Sequence, residues 1–180
     1  ESQTKLSSDE QYNEYVLSMI NKISHENGFK LEKQTNNQII LKNTQKEIRI
    51  YLNYSKSGKE TPHDCYVGIS QTVIDFLDQT DEENRFILIV NNDVKNFVSI
   101  PHQFIKQNLK LSGGENWDSS GNGDHAFHIH VHNNTSQFRT NDNYSQNYED
   151  CSNFSSNLEI LFESKGKPCN KLEKITFHQS

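Results

Sequence analysis

Cysteine is scarce in this chain of 180 residues: Cys65, Cys151 and Cys169 are odd in number, widely spaced and without a C-x-x-C pair. That pattern fits neither a disulfide framework nor a thiolate zinc site, and it makes a reducing cytoplasm the expected compartment. Sequons at Asn53, Asn133, Asn134, Asn143 and Asn153 arise by chance in so Asn- and Ser-rich a chain. Long hydrophobic runs are missing as well. Hydrophobic residues make up 32% against 23% charged, mean hydropathy is -0.88, and the longest apolar run is Phe86 to Val90. A membrane span needs roughly 20 such residues, and no charged-then-apolar leader opens the chain, so the expectation is a soluble protein with no membrane partner. Glu1 rather than Met stands first, which implies a processed chain or a piece of something longer.

Basic residues are also in deficit. Lys and Arg number 18 against 24 Asp and Glu, and the net charge of -6 argues against a protein that coats nucleic acid nonspecifically. Familiar catalytic signatures are wanting too: there is no G-x-x-x-x-G-K-[ST] loop, no G-x-S-x-G elbow and no Cys–His pair by spacing.

What charge there is lies segregated. Lys30, Lys33, Lys42, Lys46, Arg49, Lys56 and Lys59 are opposed only by Glu32 and Glu47. The stretch that follows, from Glu60 to Asp93, is strongly acidic. A polyanion can bind one face of such a chain while the other stays solvated; the alternative is that both blocks are merely solvated loops and helix faces.

Periodicity predicts an α+β fold: a mixed, mainly antiparallel sheet with two or three flanking helices, in a single domain over 1–180. Tyr12, Tyr15, Val16, Met19, Ile20 and Ile23 form a helical stripe that Ser7, Ser8 or Asp9 caps and Gly28 stops. Phe29 to Lys33, Gln38 to Lys42 and Glu47 to Asn53 read as a three-stranded meander. In its third strand Ile48, Ile50 and Leu52 are expected inside, with Glu47, Arg49, Tyr51 and Asn53 on the exposed face. Tyr66 to Ile69 then leads into a short helix through Val73, Ile74, Phe76 and Leu77. Arg85 to Asn91 reads as a central strand buried on both faces, and Asn96 to Ile100 as its neighbour. Pro101 is expected to close that strand and open a helix through Phe104, Ile105 and Leu109. Glycines 113, 114, 121 and 123 mark a mobile loop over 112–126, with Trp117 as its anchor. Phe127, Ile129 and Val131 alternate with histidines in a strand that pairs with Gln137 to Thr140. A polar segment, 141–156, precedes a last core segment at Leu158 to Phe162 and a closing strand at Ile175 and Phe177.

Two constellations carry chemistry. Alternation sets His128, His130 and His132 on one strand face, about 6.5 to 7 Å apart in succession. Such histidines can hold a divalent metal such as zinc, with His125, His102, Asp118 or Asp124 as a further ligand, unless the face is only a polar edge. The other is Glu47-Ile48-Arg49 on the third meander strand. A helix, a meander whose third strand carries Glu-x-Lys, a second helix and another strand are the order of the restriction-endonuclease-like core, in which carboxylates hold magnesium and a lysine assists water. Arginine here cannot release its proton as lysine can, and Asn36, Asn37 and Asn43 stand where an aspartate belongs. The catalytic set is therefore incomplete, and Glu47 with Arg49 reads equally as a surface ion pair.

From Lys46 to Phe162 the chain resembles domains of restriction and other DNA-defence proteins. The resemblance rests on Ile48-Arg49-Ile50-Tyr51, Tyr66-Val67-Gly68-Ile69-Ser70, Phe86-Ile87-Leu88-Ile89-Val90, Phe97-Val98-Ser99-Ile100-Pro101, Phe127-His128-Ile129-His130 and Asn157-Leu158-Glu159-Ile160-Leu161. It implies recognition of duplex DNA, by sequence or by a modified base, alongside other domains or subunits of a restriction complex. Arg49, Lys56, Lys59 and Arg139 are then the expected DNA contacts, with Trp117 entering a groove or covering an extruded base. Two other classes compete: a small metalloenzyme built on the histidine strand, and a protein-interaction module without chemistry.

Overall fold

A computed structural model describes residues 6–55, 65–111, 127–132, 137–140 and 149–163, with residues 66, 109–111, 127–130, 132 and 137–140 as backbone. Helix α1, Ser8–Glu26, starts where Ser7 accepts a hydrogen bond from the Glu10 amide, and it buries Val16 and Ile20. It stops at Gly28, whose φ of +79° lets Phe29 N–H reach the Ser24 carbonyl at 2.8 Å and Gly28 N–H reach His25 at 3.0 Å. This pair of bonds is the Schellman closure, and it withdraws Phe29 from the strand expected there.

Strand β1 accordingly begins one residue later, at Lys30–Lys33, and pairs antiparallel with β2, Gln38–Lys42. Asn43 Oδ1 accepts from the amides of Gln45 and Lys46 and turns the chain into β3, Glu47–Ser55. Next in sequence come β4, Cys65–Ile69, and helix α2, Gln71–Leu77. They form the crossover to β5, Arg85–Asn91, which runs parallel to β3, and β6, Asn96–Pro101, returns beside it. The sheet order is β1-β2-β3-β5-β6, mixed and mostly antiparallel.

Pro101 closes β6 as expected, as its last residue, and α3 begins at the next position and spans His102–Leu111. Strand β6 is a sheet edge, where a residue without an N–H breaks no ladder bond. The histidine strand β7, Phe127–His132, pairs with β8, Gln137–Thr140, in the register expected of a hairpin. Both belong to a second sheet, ordered β4-β7-β8-β9, with β9 at Glu149–Asp150. The last part of the expected polar segment is thus structured: Cys151 is buried and Ser155 bridges to Val98, while 141–148 and the closing strand at Ile175 and Phe177 lie outside the described residues.

The large sheet is covered on both faces. Ile39, Leu41, Ile48, Ile50, Leu52, Phe86 and Leu88 pack against α1 and the Leu158–Leu161 segment. Ile40, Ile87, Ile89, Val98 and Ile100 pack against α2, β4 and Ile105 of α3. At about 1.5–3 kcal/mol for each fully buried aliphatic side chain, these two layers supply the main driving force.

Candidate functional site

The covering of the second face is incomplete, and the gap is a cleft. Helix α2 lies over the middle of the sheet but leaves the outer face of β1 and β2 open beside it. The resulting cavity has a volume of about 460 Å³, inside the range of roughly 300–1,000 Å³ typical of small-molecule sites. Its floor comes from Glu32 and Gln34 on or beside β1, Gln38, Ile40 and Lys42 on β2, and Glu47 and Arg49 on β3. The alternation of β2 and β3 puts these residues on the face opposite Ile39, Leu41, Ile48 and Ile50. The wall is Thr72, Asp75, Phe76 and Gln79, spaced i, i+3, i+4 and i+7 along and just past α2.

Arg49 and Glu47 hold the end of the cleft. Arg49 Nε donates to Glu47 Oε2 at 2.8 Å, Nη1 donates to the Phe76 carbonyl at 3.1 Å, and the guanidinium carbon sits 4.9 Å from the centre of the Phe76 ring. Lys42 Nζ adds a contact to the other Glu47 oxygen at 3.6 Å. The hydrogen bond from Arg49 holds the Glu47 carboxyl below its ordinary range, and the charges of Arg49 and Lys42 act in the same direction against partial burial. The expectation that Glu47 and Arg49 stand on an exposed face is corrected here: their side chains are 24% and 12% exposed, because α2 crosses over them.

The same end of the central strands continues as a polar network. Thr80 Oγ donates to the Glu47 carbonyl, and Arg85 donates to the Thr80 carbonyl at 2.9 Å and pairs with Asp78 at 3.2 Å. His102 is 2% exposed, with Nδ1 3.5 Å from Arg85 Nη1 and 4.0 Å from Glu82. Burial, then the positive charges of Arg85 and Lys106, push its pKa down to about 3. The imidazole is neutral at physiological pH.

These residues do not fit a magnesium site. Glu47 is the only carboxylate at the Glu-x-Arg position and is already matched by two cations. Across β2, Lys42 stands opposite Glu47 and Ile40 opposite Arg49, so neither position supplies a second carboxylate. Asn37 is spent in donating to the Leu52 carbonyl at 2.8 Å, and Asn43 in the β2–β3 turn. Among the described residues no three of His, Cys, Asp and Glu converge as metal ligands.

The remaining expected site residues are placed only in part. Lys56, Lys59 and Trp117 lie outside the described residues, as do His125, Asp118 and Asp124. The backbone of β7 carries His128 opposite Gly68, His130 between Tyr66 and Arg139, and His132 opposite Gln137; the side chains of these histidines and of Arg139 lie outside the described set. Among the described residues, the expected DNA contact that lines the cleft is Arg49. The cleft adds Gln34, Gln38, Thr72, Asp75 and Gln79, whose sole sequence signal is the polar stripe of α2 set against polar outward positions of the meander. No family model, no curated protein and no solved structure matches the chain.

Proposed function

We propose that this chain is a DNA-binding domain of the restriction type that engages duplex DNA by short sequence or base modification and does not itself cut it. One observation carries the reading: α1, the β1-β2-β3 meander, α2 and β5 follow in the order of the nuclease core, with β4 of the second sheet inserted before α2, with β5 parallel to β3, and with Glu47-Ile48-Arg49 at the start of β3. In that place a nuclease of this kind keeps a carboxylate and a lysine. Here a guanidinium closes on the carboxylate, and a group that stays protonated cannot serve as a base. What such a core retains without chemistry is its ability to dock on DNA, and the excess of lysine between Lys30 and Lys59 supplies phosphate contacts.

Titration of tag-free protein against pooled labelled duplexes, with and without cytosine or adenine modification, tests this. Between about 50 mM and about 200 mM salt, four phosphate contacts weaken binding by roughly a hundredfold. Lys56→Glu with Lys59→Glu is expected to weaken all pools alike, and magnesium to leave every duplex intact. Binding that ignores salt, or cleavage lost in Glu47→Gln, would overturn the reading.

A second reading rests on β7, where alternation gives three histidines one strand face. Zinc near one equivalent in tag-free protein, lost in His128→Ala with His130→Ala, would favour a metal centre there.

A further inference from the structure

The floor of the cleft is a set of cross-strand rows. Lys42 stands opposite Glu47, Ile40 lies between Glu32 and Arg49, and Gln38 stands opposite Tyr51. The rows differ in what they can offer a ligand. Glu47 is matched by Arg49 and Lys42, whereas Glu32 and Asp75 carry no ion pair among the described residues. Gln71 Nε2 donates to one Asp75 oxygen at 2.8 Å. A phosphate inside the cleft would face two carboxylates. A neutral planar group with an amino donor would instead find acceptors at Glu32 and Asp75, carboxamides at Gln34, Gln38 and Gln79, and apolar contact from Ile40 and Phe76.

We propose that this cleft takes a single nucleobase that bears an exocyclic amino group, presented out of the base stack; the proposal rests on the DNA-binding reading above. Carboxylates accept from the cytosine N4 amino group, and glutamine pairs both edge atoms of adenine, which are the two side-chain types gathered here. Thymine offers no amino group to either carboxylate. The charged amine of Lys42, 53% exposed at the rim, is placed to meet a phosphate flanking the inserted base while the interior excludes it. Removing a base from the stack costs free energy, least on a mismatched or single-stranded segment, so the cleft favours such substrates over intact duplex.

The test uses ¹⁵N-labelled full chain and follows the side-chain amides of Gln34, Gln38 and Gln79 and the Nε–H of Arg49 by NMR. Deoxycytidine, deoxyadenosine, thymidine and N-acetylarginine amide are the probes. Deoxycytidine or deoxyadenosine is expected to shift these signals saturably, at least about fivefold more tightly than thymidine, and Glu32→Gln with Asp75→Asn to weaken that binding by at least about fivefold. Gln34→Ala, at an exposed position, gives a variant whose fold is not at risk and is expected to weaken the same probe. Silence with every nucleoside, equal binding of thymidine, or tighter binding of the arginine probe overturns the inference, the last in favour of a cationic peptide. A duplex and a single strand added to the same sample separate the two claims. Salt-sensitive duplex binding that leaves the cleft signals unmoved overturns the inference and keeps the domain reading, whereas no binding of either strand form overturns the domain reading.

Discussion

At Arg49 one guanidinium serves the Glu47 carboxylate, the Phe76 carbonyl and the Phe76 ring, with 12% of its side chain exposed. Removing it leaves a partly buried carboxylate and a carbonyl short of their partner. Arg49→Met is therefore expected to cost about 2–3 kcal/mol in urea unfolding at neutral pH, and Arg49→Lys somewhat less, since a lysine keeps the charge but not the fork. A loss under about 0.5 kcal/mol would show that the side chain is free for another partner. His102 sets a pH dependence of opposite origin. Its folded pKa of about 3 lies below the unfolded value near 6.5, so between those limits the unfolded chain binds the extra proton and stability falls as pH falls. From pH 7 to pH 5 this group alone removes roughly 1–2 kcal/mol at 1.36 kcal/mol per unit. The curve for His102→Gln is expected to be flatter by that amount; parallel curves would mean that the imidazole accepts its proton within the fold.

Among the elements, the end of α1 shows how much one backbone angle decides. Gly28 sits at φ +79°, and a Cβ built there meets nothing within 4 Å, so any penalty comes from the backbone alone. Gly28→Ala is expected to cost about 1–2 kcal/mol and Gly28→Asn less, because asparagine tolerates the left-handed region. Equal losses in thermal unfolding would mean that the Schellman closure is dispensable. This stop was legible from the glycine after a helical stripe, as were the β3 alternation, the apolar β5 and the β7–β8 hairpin, all of them periodic over neighbouring residues. The coverage of Arg49 was not, because the helix that crosses it lies about 27 residues later in the chain and nothing local records the contact. The pairing of β4 with β7 and the cleft wall were hidden for the same reason. Thr72, Asp75 and Gln79 read as the solvated side of a short helix until the open edge of β1 and β2 is seen to face them.

The whole molecule is organised around a sheet buried from two sides, and β5 feels both. Leu88 is fully buried against the α1 layer and Ile89 fully buried against the layer of α2 and β4. They are adjacent in sequence, yet their side chains belong to different cores. Truncation of either to alanine is expected to cost about 2–5 kcal/mol, a large share of the roughly 5–15 kcal/mol available to a domain of this size. If the sheet couples the layers, both variants shift one transition that far-UV and near-UV circular dichroism trace identically. Should the layer of β4 and α2 instead be a separate cooperative unit, Ile89→Ala would split the near-UV transition from the far-UV one while Leu88→Ala would not. Coupling also bears on the cleft, because its floor belongs to the central sheet and its wall to the second layer. In a single cooperative unit the two stay in register until the molecule unfolds, so Leu88→Ala should leave nucleoside affinity unchanged at temperatures below its transition. Affinity that decays ahead of the far-UV signal would locate the loss in the wall.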